Sequence, residues 1–583
     1  MNAPAHPRPP PADPPPSRPW RRIAAAALAL LFLNGMLSFS TWWPTPGIVP
    51  DARLAPEFVW LWLALLAVVA RRGRLPRPLL VAFTLAYGVL VIGRYADITV
   101  PSLFGRAINL YWDGAQIPRF LWVSAQDLAW WQSAAVVAAG ALLAWAVYRL
   151  LRLAIGVAAR EAAPYALRAP WVWALTALAV ALVSANLAGV RATWPVVSKP
   201  VIPTYWRQAQ LLATAFSPDR LATALPASTA VDTALAAPAG SALGGLRGRD
   251  VALILLESYG AVVYDDARAA RALRPLRRHL ADAITASGRH VVSAFVRSPT
   301  FGGASDLAQL GVLSGIDLAD PTRHDLLLTT QRPTLVSLFR RHGYQTFGLY
   351  PAVHWEWPER AFYGYDHYLE SRDLGYRGPA LGFWVIPDQF TLARFEQLHP
   401  RTADAPPRFV FFPTITTHLP FSPAPPYQSD WARVLTPQPF EPAEVQRALA
   451  ERVNWLDMFP DYLRMFDYNY RWLAGHMRRP EPRDTVYVLV GDHQPAANIT
   501  GEGASWDVPV HIIARDPALL ARFTAQGFHE GLEPPRVPLG ALHELTGMLL
   551  TAFASAPAAL ADVAVNRTRP AVGAAPATAE GVR

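Results

Sequence analysis

Cysteine is absent from this chain of 583 residues, and lysine is almost absent. Without cysteine there are no disulfides, no thiolate nucleophile and no cysteine-ligated zinc. Of the 53 basic residues 52 are arginine, and Lys199 is the only lysine, a bias typical of a GC-rich bacterial genome. The formal net charge of +9 falls largely beside apolar stretches, which favours membrane topology over binding to nucleic acid. The length predicts two or more domains.

Long apolar stretches dominate the first third of the sequence. A bilayer core needs about 20 largely apolar residues, with roughly 17 as a lower limit. Stretches near that length cover residues 23–41, 54–70, 79–93, 129–148 and 171–190. The second contains Glu57 and the third is short. Together they predict a membrane domain of five α-helices over residues 20–192.

Arginines cluster between alternate apolar stretches and determine the predicted orientation. They lie before the first stretch, between the second and third, and between the fourth and fifth. They are Arg18, Arg21, Arg22, Arg71, Arg72, Arg74, Arg77, Arg149, Arg152, Arg160 and Arg168. By the positive-inside rule, the N-terminus is predicted in the cytoplasm and everything after residue 190 outside it.

Composition divides the rest of the chain. Residues 1–19, rich in proline, and residues 554–583, rich in alanine, proline and glycine, are predicted to be disordered. Residues 193–247 contain the amphipathic stretch "TYWRQAQLLATAF" and an Ala/Pro/Gly/Ser-rich part, which predict an interfacial helix and a linker. Residues 248–553 remain as a soluble domain on the periplasmic side.

The soluble domain contains continuous apolar runs that end in polar residues. "DVALILLES", "YQTFGLYP", "RFVFFPTITTH" and "DTVYVLVGDH" are typical of central parallel strands buried on both faces. Helical patterns lie between them, such as "PTLVSLFRRHG". This alternation predicts an α/β domain with a mostly parallel central sheet.

Three of these strands end in side chains that can bind a metal. Glu257 follows the first run, His418 the third, and the pair Asp492 and His493 the last. Because the carboxyl ends of parallel strands meet at one edge of a sheet, we expect these side chains to lie close together. Carboxylates and imidazole together suit Zn²⁺ or Mn²⁺.

A candidate nucleophile lies in "SPTFGGASDLAQLGVLSG", residues 298–315. Two glycines, a small alcohol and an acid precede a helix-like apolar run, and a helix N-terminus favours an anion such as phosphate. A hydroxyl beside a metal can be deprotonated and attack phosphorus. Ser305 is the predicted nucleophile and Thr300 the alternative, while a helix N-cap is the non-catalytic interpretation.

Four motifs resemble one protein family. "LILLESYG", "GGASDLAQLGVLSG", "TTHLPF" and "VLVGDHQP" resemble the membrane-anchored branch of the alkaline phosphatase/sulfatase superfamily, in particular lipoteichoic acid synthases and phosphoethanolamine transferases. The layout of membrane helices, linker and extracytoplasmic domain is similar too. The resemblance implies a sulfatase-like fold of the alkaline phosphatase type and one divalent metal ion, Mn²⁺ or Zn²⁺, with Mg²⁺ as the third choice.

The resemblance also implies roles for individual residues. The positions that match the family's metal ligands are Glu257, Ser305, Asp492 and His493. His418 in "TTHLPF" matches a histidine that contacts substrate. "HWEWPER" resembles a region that binds the phosphoryl group, which implies Trp357 and Arg360 as substrate contacts.

The register of the nucleophile motif has two solutions. Counting back nine residues from the pair Ser314 and Gly315 reaches Ser305, whereas alignment on the following Ser-Asp places Ala304 at the nucleophile position and implies an inactive enzyme. A sulfatase is excluded on other grounds. Its formylglycine precursor needs cysteine, or serine in a small motif with Pro or Ala and then Arg, and "SDLAQ" supplies neither.

These expectations combine into a membrane phosphotransferase. Ser305 would attack the phosphodiester of a membrane phospholipid, release diacylglycerol and pass phosphoglycerol or phosphoethanolamine to a cell-envelope glycan or lipid acceptor. His418 and Arg360 would bind the phosphate or protonate the leaving group. A phosphodiester hydrolase and a catalytically inactive membrane scaffold or sensor remain as alternatives. The predicted location is the bacterial inner membrane, with several spans and no nucleic-acid partner.

Overall fold

The computed structural model describes residues 19–42, 47–104, 107–111, 113–114, 129–165, 169–188, 196–217, 225–238, 240–354, 360–402 and 404–555. The chain divides into two compact units. Met1–Val100 and Ile108–Leu212 form the first unit, and Pro101–Ala107 and Ala213–Arg583 form the second. Most of the two tails predicted to be disordered, residues 1–18 and 556–583, lies outside the described residues.

All five apolar stretches of the first unit contain a helix. Its elements are α1 (Pro19–Ser38), β1 (Ser40–Thr41), β2 (Ile48–Val49), α2 (Pro56–Arg72), α3 (Arg77–Phe104), α4 (Trp130–Ala162), α5 (Pro170–Leu187) and α6 (Ile202–Ala215). Of the described helices, α1, α3, α4 and α5 are long and apolar enough to cross a membrane, whereas α2, with 17 residues, lies at the lower limit of length. Length and composition therefore support four of the five predicted spans. Helix α2 starts at Pro56, later than the apolar stretch, because proline suits the first turn of a helix.

Buried charged side chains connect the helix ends of the first unit. Glu57, 2% exposed, accepts hydrogen bonds from the backbone N–H groups of Val201 and Ile202 at 2.5 and 3.0 Å. Arg94, 3% exposed, donates to the carbonyl of Phe39 at the end of α1. A carboxylate at the start of α6 and a guanidinium at the end of α1 complement the two helix dipoles. These contacts explain why charged residues lie inside apolar helices.

In the described part of the second unit, eight strands form one mixed sheet. They are β3 (Asp250–Leu256), β4 (His290–Arg297), β5 (Gln345–Tyr350), β6 (His367–Glu370), β7 (Arg408–Pro413), β8 (Thr485–Gly491), β9 (Asp507–Ala514) and β10 (His529–Glu530). Their order across the sheet is β10-β4-β9-β8-β3-β7-β5-β6. Neighbours from β8 to β6 pair in parallel, and those from β10 to β8 pair antiparallel. The predicted α/β domain with a mostly parallel sheet is thus confirmed, and the antiparallel pairs lie together at one side of the sheet.

In the described residues of the second unit, helices and two 3₁₀ turns precede, connect and follow these strands. The helices are α7 (Ala230–Ala236), α8 (Val262–Asp265), α9 (Ala267–Ala286), α10 (Ser305–Ser314), α11 (Pro321–Leu328), α12 (Leu335–Arg341), α13 (Arg360–Tyr363), α14 (Ser371–Leu374), α15 (Asp388–Leu398), α16 (Trp431–Val434), α17 (Pro442–Ala450), α18 (Phe459–Met477), α19 (Ala497–Thr500), α20 (Pro517–Thr524) and α21 (Leu545–Phe553), and the turns are Gly244–Leu246 and Leu542–Glu544. Helix α7 lies in the stretch predicted as a linker, and its Val231 and Ala234 are buried.

The four predicted strands are β3, β5, β7 and β8. Every residue of β3 and β7 is buried, as continuous apolar runs require of central strands. Residues of β3 pair with β7 on one side and with β8 on the other. The carboxyl ends of these three strands therefore lie side by side, and the polar residues that follow each strand meet at that edge.

Replacing Gly491, the last residue of β8, by alanine is expected to destabilise the fold. A Cβ there would overlap the carbonyl oxygen of Tyr259 and lie 3.1 Å from Val508 Cβ, so Gly491→Ala must displace backbone. The expected cost is about 1–3 kcal/mol, measured as a fall of several degrees in the thermal unfolding midpoint.

Gly311, in the middle of α10, is the matched control. A Cβ there meets only Ile316 O at 3.6 Å, and alanine is the better helix former by roughly 0.5–1 kcal/mol. Gly311→Ala is expected to leave the midpoint unchanged or higher. Equal unfolding midpoints for the two variants would contradict this account of Gly491.

Candidate metal centre

Glu257, Asp492 and His493 converge because β3 and β8 are neighbours in register. Leu256 pairs with Gly491, so the residue after each strand lies beside its counterpart. One ligand atom from each of the three side chains lies within 4.8 Å of the others, and all three residues are at most 4% exposed. The structure therefore brings together these residues, which the sequence placed at separate strand ends.

Ser305 is the first residue of α10 and faces the same group. Its Oγ lies 3.1 Å from Glu257 Oε2 and 3.2 Å from His493 Nε2. The preceding Ala304 has a φ of 62°, a left-handed conformation that a residue with a Cβ rarely adopts and that directs the chain into the helix. In this conformation the hydroxyl of Ser305 adjoins the cluster, which favours the Ser305 register over the Ala304 register.

Two buried carboxylates facing each other dominate the electrostatics. Burial and the neighbouring Glu257 raise the pKa of Asp492 to about 7. Burial alone would lower the pKa of His493, but the carboxylates of Asp492 and Glu257 raise it. Bringing such carboxylates together is costly unless a positive charge lies between them. A donor set of two carboxylates, an imidazole and a hydroxyl fits a divalent cation, with Zn²⁺ or Mn²⁺ as suitable occupants.

Neighbouring groups hold these side chains in place. Asp492 Oδ1 accepts from the N–H groups of Ser258 and His493 at 2.8 and 2.6 Å. His493 Nδ1 donates to the carbonyl of Gln494 at 2.7 Å, so in the uncharged ring the Nε2 lone pair faces Ser305 and the carboxylates. Such an outer bond fixes the tautomer that a metal-binding histidine needs. Ser258 Oγ donates to Glu257 Oε1 at 3.0 Å.

His418 lies close enough to this group for Asp492 and His493 to influence it electrostatically. Burial lowers the pKa of His418 to about 4, and its Nδ1 donates to the carbonyl of Leu419 at 2.6 Å. Phe383 stacks on the imidazole at a ring distance of 5.3 Å, and Trp384 meets its edge at 5.8 Å. The ring is therefore uncharged at neutral pH and fixed in orientation.

Other candidate residues have different surroundings. Arg360 pairs with the buried Glu370 at 3.1 Å, and Trp357 lies outside the described residues. Thr300, the alternative nucleophile, donates its hydroxyl to Gly303 O at 2.6 Å and is 1% exposed. The Thr300 hydroxyl is thus engaged within its own loop.

Sequence reasoning missed the aromatic pair Phe383 and Trp384. Both lie in a loop between α14 and α15, where no periodicity marks a buried or functional face. Their approach to His418 depends on a contact across more than 30 residues, which the sequence alone does not show.

No protein-family model matches the chain, and no curated protein does. Among solved structures, a protein of the alkaline phosphatase superfamily from Vibrio parahaemolyticus is 17% identical with a TM-score of 0.35, and the match covers 52% of this chain and 66% of that one. The lipoteichoic acid synthase LtaP from Listeria monocytogenes is 12% identical with a TM-score of 0.33, covering 46% and 66%. The C-terminal periplasmic domain of the phosphoethanolamine transferase EptC from Campylobacter jejuni is 11% identical with a TM-score of 0.32, covering 52% and 89%.

The chain thus spans just under two thirds of the Vibrio and Listeria proteins that it matches. The names of these three proteins give the alkaline phosphatase superfamily, a lipoteichoic acid synthase and a phosphoethanolamine transferase, which are the groups that the four motifs resemble. With TM-scores of 0.32 to 0.35, these matches carry no argument about this chain.

Removing metal is expected to expose the repulsion between Glu257 and Asp492. Because folding raises the pKa of Asp492 from its ordinary 3.8 to about 7, the contribution of this residue to stability is complete below about pH 4 and is lost as the pH rises through about 7. Asp492→Asn is expected to abolish that loss, and with it the stabilisation that Mn²⁺ or Zn²⁺ gives the wild type. Unfolding midpoints at pH 5 and pH 8, with chelator and with each metal, measure both effects.

Asp467→Asn is the control for this comparison, because Asp467 pairs with Arg471 on the exposed side of α18. This variant is expected to respond to pH and to metal as the wild type does. A wild-type metal response in Asp492→Asn would remove Asp492 from the metal centre.

Proposed function

We propose that this chain is a metal-dependent phosphotransferase that moves phosphoglycerol or phosphoethanolamine from a membrane phospholipid to a hydroxyl group of a cell-envelope glycan or lipid. The observation that supports it most is the position of the Ser305 hydroxyl, within 3.2 Å of both the Glu257 carboxylate and the His493 imidazole. A hydroxyl so placed at the first turn of a helix has the surroundings of a nucleophile for phosphorus.

The metal would be held by four side chains. They are Glu257, Ser305, Asp492 and His493. When bound, one divalent ion, Mn²⁺ or Zn²⁺ with Mg²⁺ as the third choice, lowers the pKa of the serine hydroxyl and offsets the negative charge of the phosphoryl oxygens.

In the first half of the reaction, Ser305 Oγ attacks the phosphorus of the donor phospholipid. The Oγ–P bond forms as the bond between phosphorus and the oxygen of the diacylglycerol group breaks. Diacylglycerol leaves with the proton that serine gives up. The phospho-substituent stays on Ser305 as a phosphodiester. The N-terminal dipole of α10 favours the phosphate charge at this position.

In the second half, His418 acts as the base. Its Nδ1 proton is held by Leu419 O and its pKa is about 4, so the uncharged ring has a lone pair on Nε2 at neutral pH. Nε2 takes the proton of the acceptor hydroxyl, whose oxygen attacks phosphorus and displaces Ser305 Oγ. The proton then returns to the serine, which completes a ping-pong cycle.

Arg360 is the proposed phosphoryl contact, together with Trp357. Its guanidinium is half-exposed and shares the buried carboxylate of Glu370 with Arg372. Since two guanidinium groups face one carboxylate, positive charge remains for the phosphoryl oxygens, and arginine matches their geometry.

Membrane placement follows from the first unit. The four helices long enough to cross a bilayer support a multi-pass protein of the bacterial inner membrane. A catalytic unit in the periplasm requires a fifth crossing, which α2 with its 17 residues would supply, as the positions of the arginines predict. The donor is then a lipid of the same membrane, and no nucleic acid takes part.

Ser305→Ala is expected to abolish diacylglycerol release from labelled phosphatidylglycerol or phosphatidylethanolamine in vesicles that contain the full chain. Loss of the nucleophile is expected to lower the rate by about 1,000-fold or more. Thr300→Val is the matched comparison, since it also removes one hydroxyl from the same loop, and is expected to retain activity within about tenfold.

Release that persists in Ser305→Ala and disappears in Thr300→Val would transfer the role of nucleophile to Thr300. Wild-type release of the free headgroup phosphate, with none passed to an acceptor, would identify a hydrolase. The absence of turnover with every metal would favour the inactive scaffold.

A further inference from the structure

Asp388 lies outside the metal centre, and its buried carboxylate contacts residues 414–418, the segment that ends at His418. It is the first residue of α15, and it is 0% exposed. Its Oδ1 accepts from the N–H of Ile415 at 2.8 Å, and its Oδ2 accepts from the N–H of Thr416 at 3.0 Å. The carboxylate therefore binds two successive backbone groups of residues 414–418.

The contact between Asp388 and Thr416 is reciprocal. The backbone N–H of Asp388 donates to Thr416 Oγ1 at 2.9 Å, so main chain and side chain of each residue bind the other. Burial raises the pKa of Asp388, and the groups that lower it are its hydrogen-bond partners Ile415 and Thr416. Its charge is balanced by these donors and by the start of an 11-residue helix.

The opposite side of the same segment is attached to the end of β3. Thr414 Oγ1 accepts from the N–H of Glu257 at 3.0 Å, and Thr417 Oγ1 donates to the Glu257 carbonyl at 2.5 Å. Residues 414–418 are thus held between the carboxylate of Asp388 and the backbone of a proposed metal ligand.

His418 receives this constraint through one further bond. Its backbone N–H donates to the carbonyl of Ile415 at 3.1 Å, and Ile415 is itself bound by Asp388. A hydrogen-bonded path of two steps therefore connects the carboxylate to the backbone of His418. Displacing the 414–418 segment would move the imidazole relative to Ser305, and a misplacement of about 1 Å can cost on the order of 100-fold in rate.

We propose that Asp388 is a positioning residue: it fixes residues 414–418 so that the His418 imidazole is held for proton transfer at the metal centre. This inference rests on the proposed function, because that function gives His418 its role in proton transfer, and no group of Asp388 contacts the substrate. Burial raises the pKa of Asp388 to about 6, which leaves the carboxylate ionised, with both oxygens as acceptors, at neutral pH.

The test compares Asp388→Asn with the wild-type full chain in nanodiscs. The amide keeps one acceptor oxygen but turns an N–H donor towards a backbone N–H, so at least one bond is lost. Hydrogen exchange at the amides of Ile415 and Thr416 is expected to rise by about tenfold or more. The kcat of headgroup transfer is expected to fall by about 10- to 100-fold, with the donor KM changed by less than about threefold.

A double-mutant cycle separates positioning from general destabilisation. In a His418→Ala background, Asp388→Asn is expected to cost less than about twofold further, because the group that it positions is gone. Asp430→Asn is the matched control, since Asp430 also accepts from two backbone N–H groups, of Ala432 and Arg433, but is exposed and caps α16 instead of binding residues 414–418. It is expected to change neither exchange nor kcat.

If Asp388→Asn fails to fold, Thr416→Val is the variant to measure. It removes the hydroxyl that accepts a hydrogen bond from the Asp388 N–H and leaves the Asp388 carboxylate in place. It is expected to change exchange and kcat in the same direction by a smaller factor. Unchanged exchange at residues 415 and 416 in the variant that folds, or a full additional loss of kcat in the His418→Ala background, would overturn the proposal. If the wild type transfers no headgroup, the proposed function fails, and the exchange measurement alone decides whether Asp388 fixes the segment.

Discussion

The repulsion between two buried carboxylates is the constraint on which the site depends. The parallel register of β3 and β8 places Glu257 beside Asp492, both at most 4% exposed. Burial and this proximity raise the pKa of Asp492. The surrounding groups offset the repulsion only in part, through backbone N–H donors to Asp492 and the hydroxyl of Ser305 near Glu257. A divalent cation between the carboxylates would offset this repulsion, and the same cation would activate the serine.

The fold supplies this arrangement by joining three chain segments at one edge of the sheet. Gly491 permits the close approach of the β8 end to Tyr259, and the left-handed Ala304 turns the chain so that α10 begins at Ser305. Strained or tightly packed backbone of this kind persists when the surrounding structure holds it in place. The third segment, residues 414–418, is held from two sides, by Asp388 and by the backbone of Glu257.

The sequence predicted those parts of the structure that depend on local patterns. Continuous apolar runs identified β3, β5, β7 and β8, and the polar residues after them identified the cluster at their carboxyl ends. Prediction from the sequence was less complete for features that depend on tertiary contacts. Helix α2 lies at the lower limit of length for a span, and Glu57 near its start is stabilised by backbone donors about 145 residues away. The sequence of the antiparallel strand β9 resembles the sequences of the parallel strands because β9 is equally buried. In the sequence, Asp388 looks like an ordinary acidic residue at the start of a helix, because the residues that donate hydrogen bonds to it are 27 and 28 positions away.

The central claim is that Ser305 becomes covalently modified through a metal-dependent attack on a phospholipid. Peptide mass spectrometry of the full chain after brief incubation with phosphatidylglycerol or phosphatidylethanolamine tests this most directly. The account predicts a phosphoglycerol or phosphoethanolamine adduct on the peptide that contains Ser305, formed with Mn²⁺ or Zn²⁺ and absent in chelator. An adduct on another residue, or the same adduct in the presence of chelator, would contradict it.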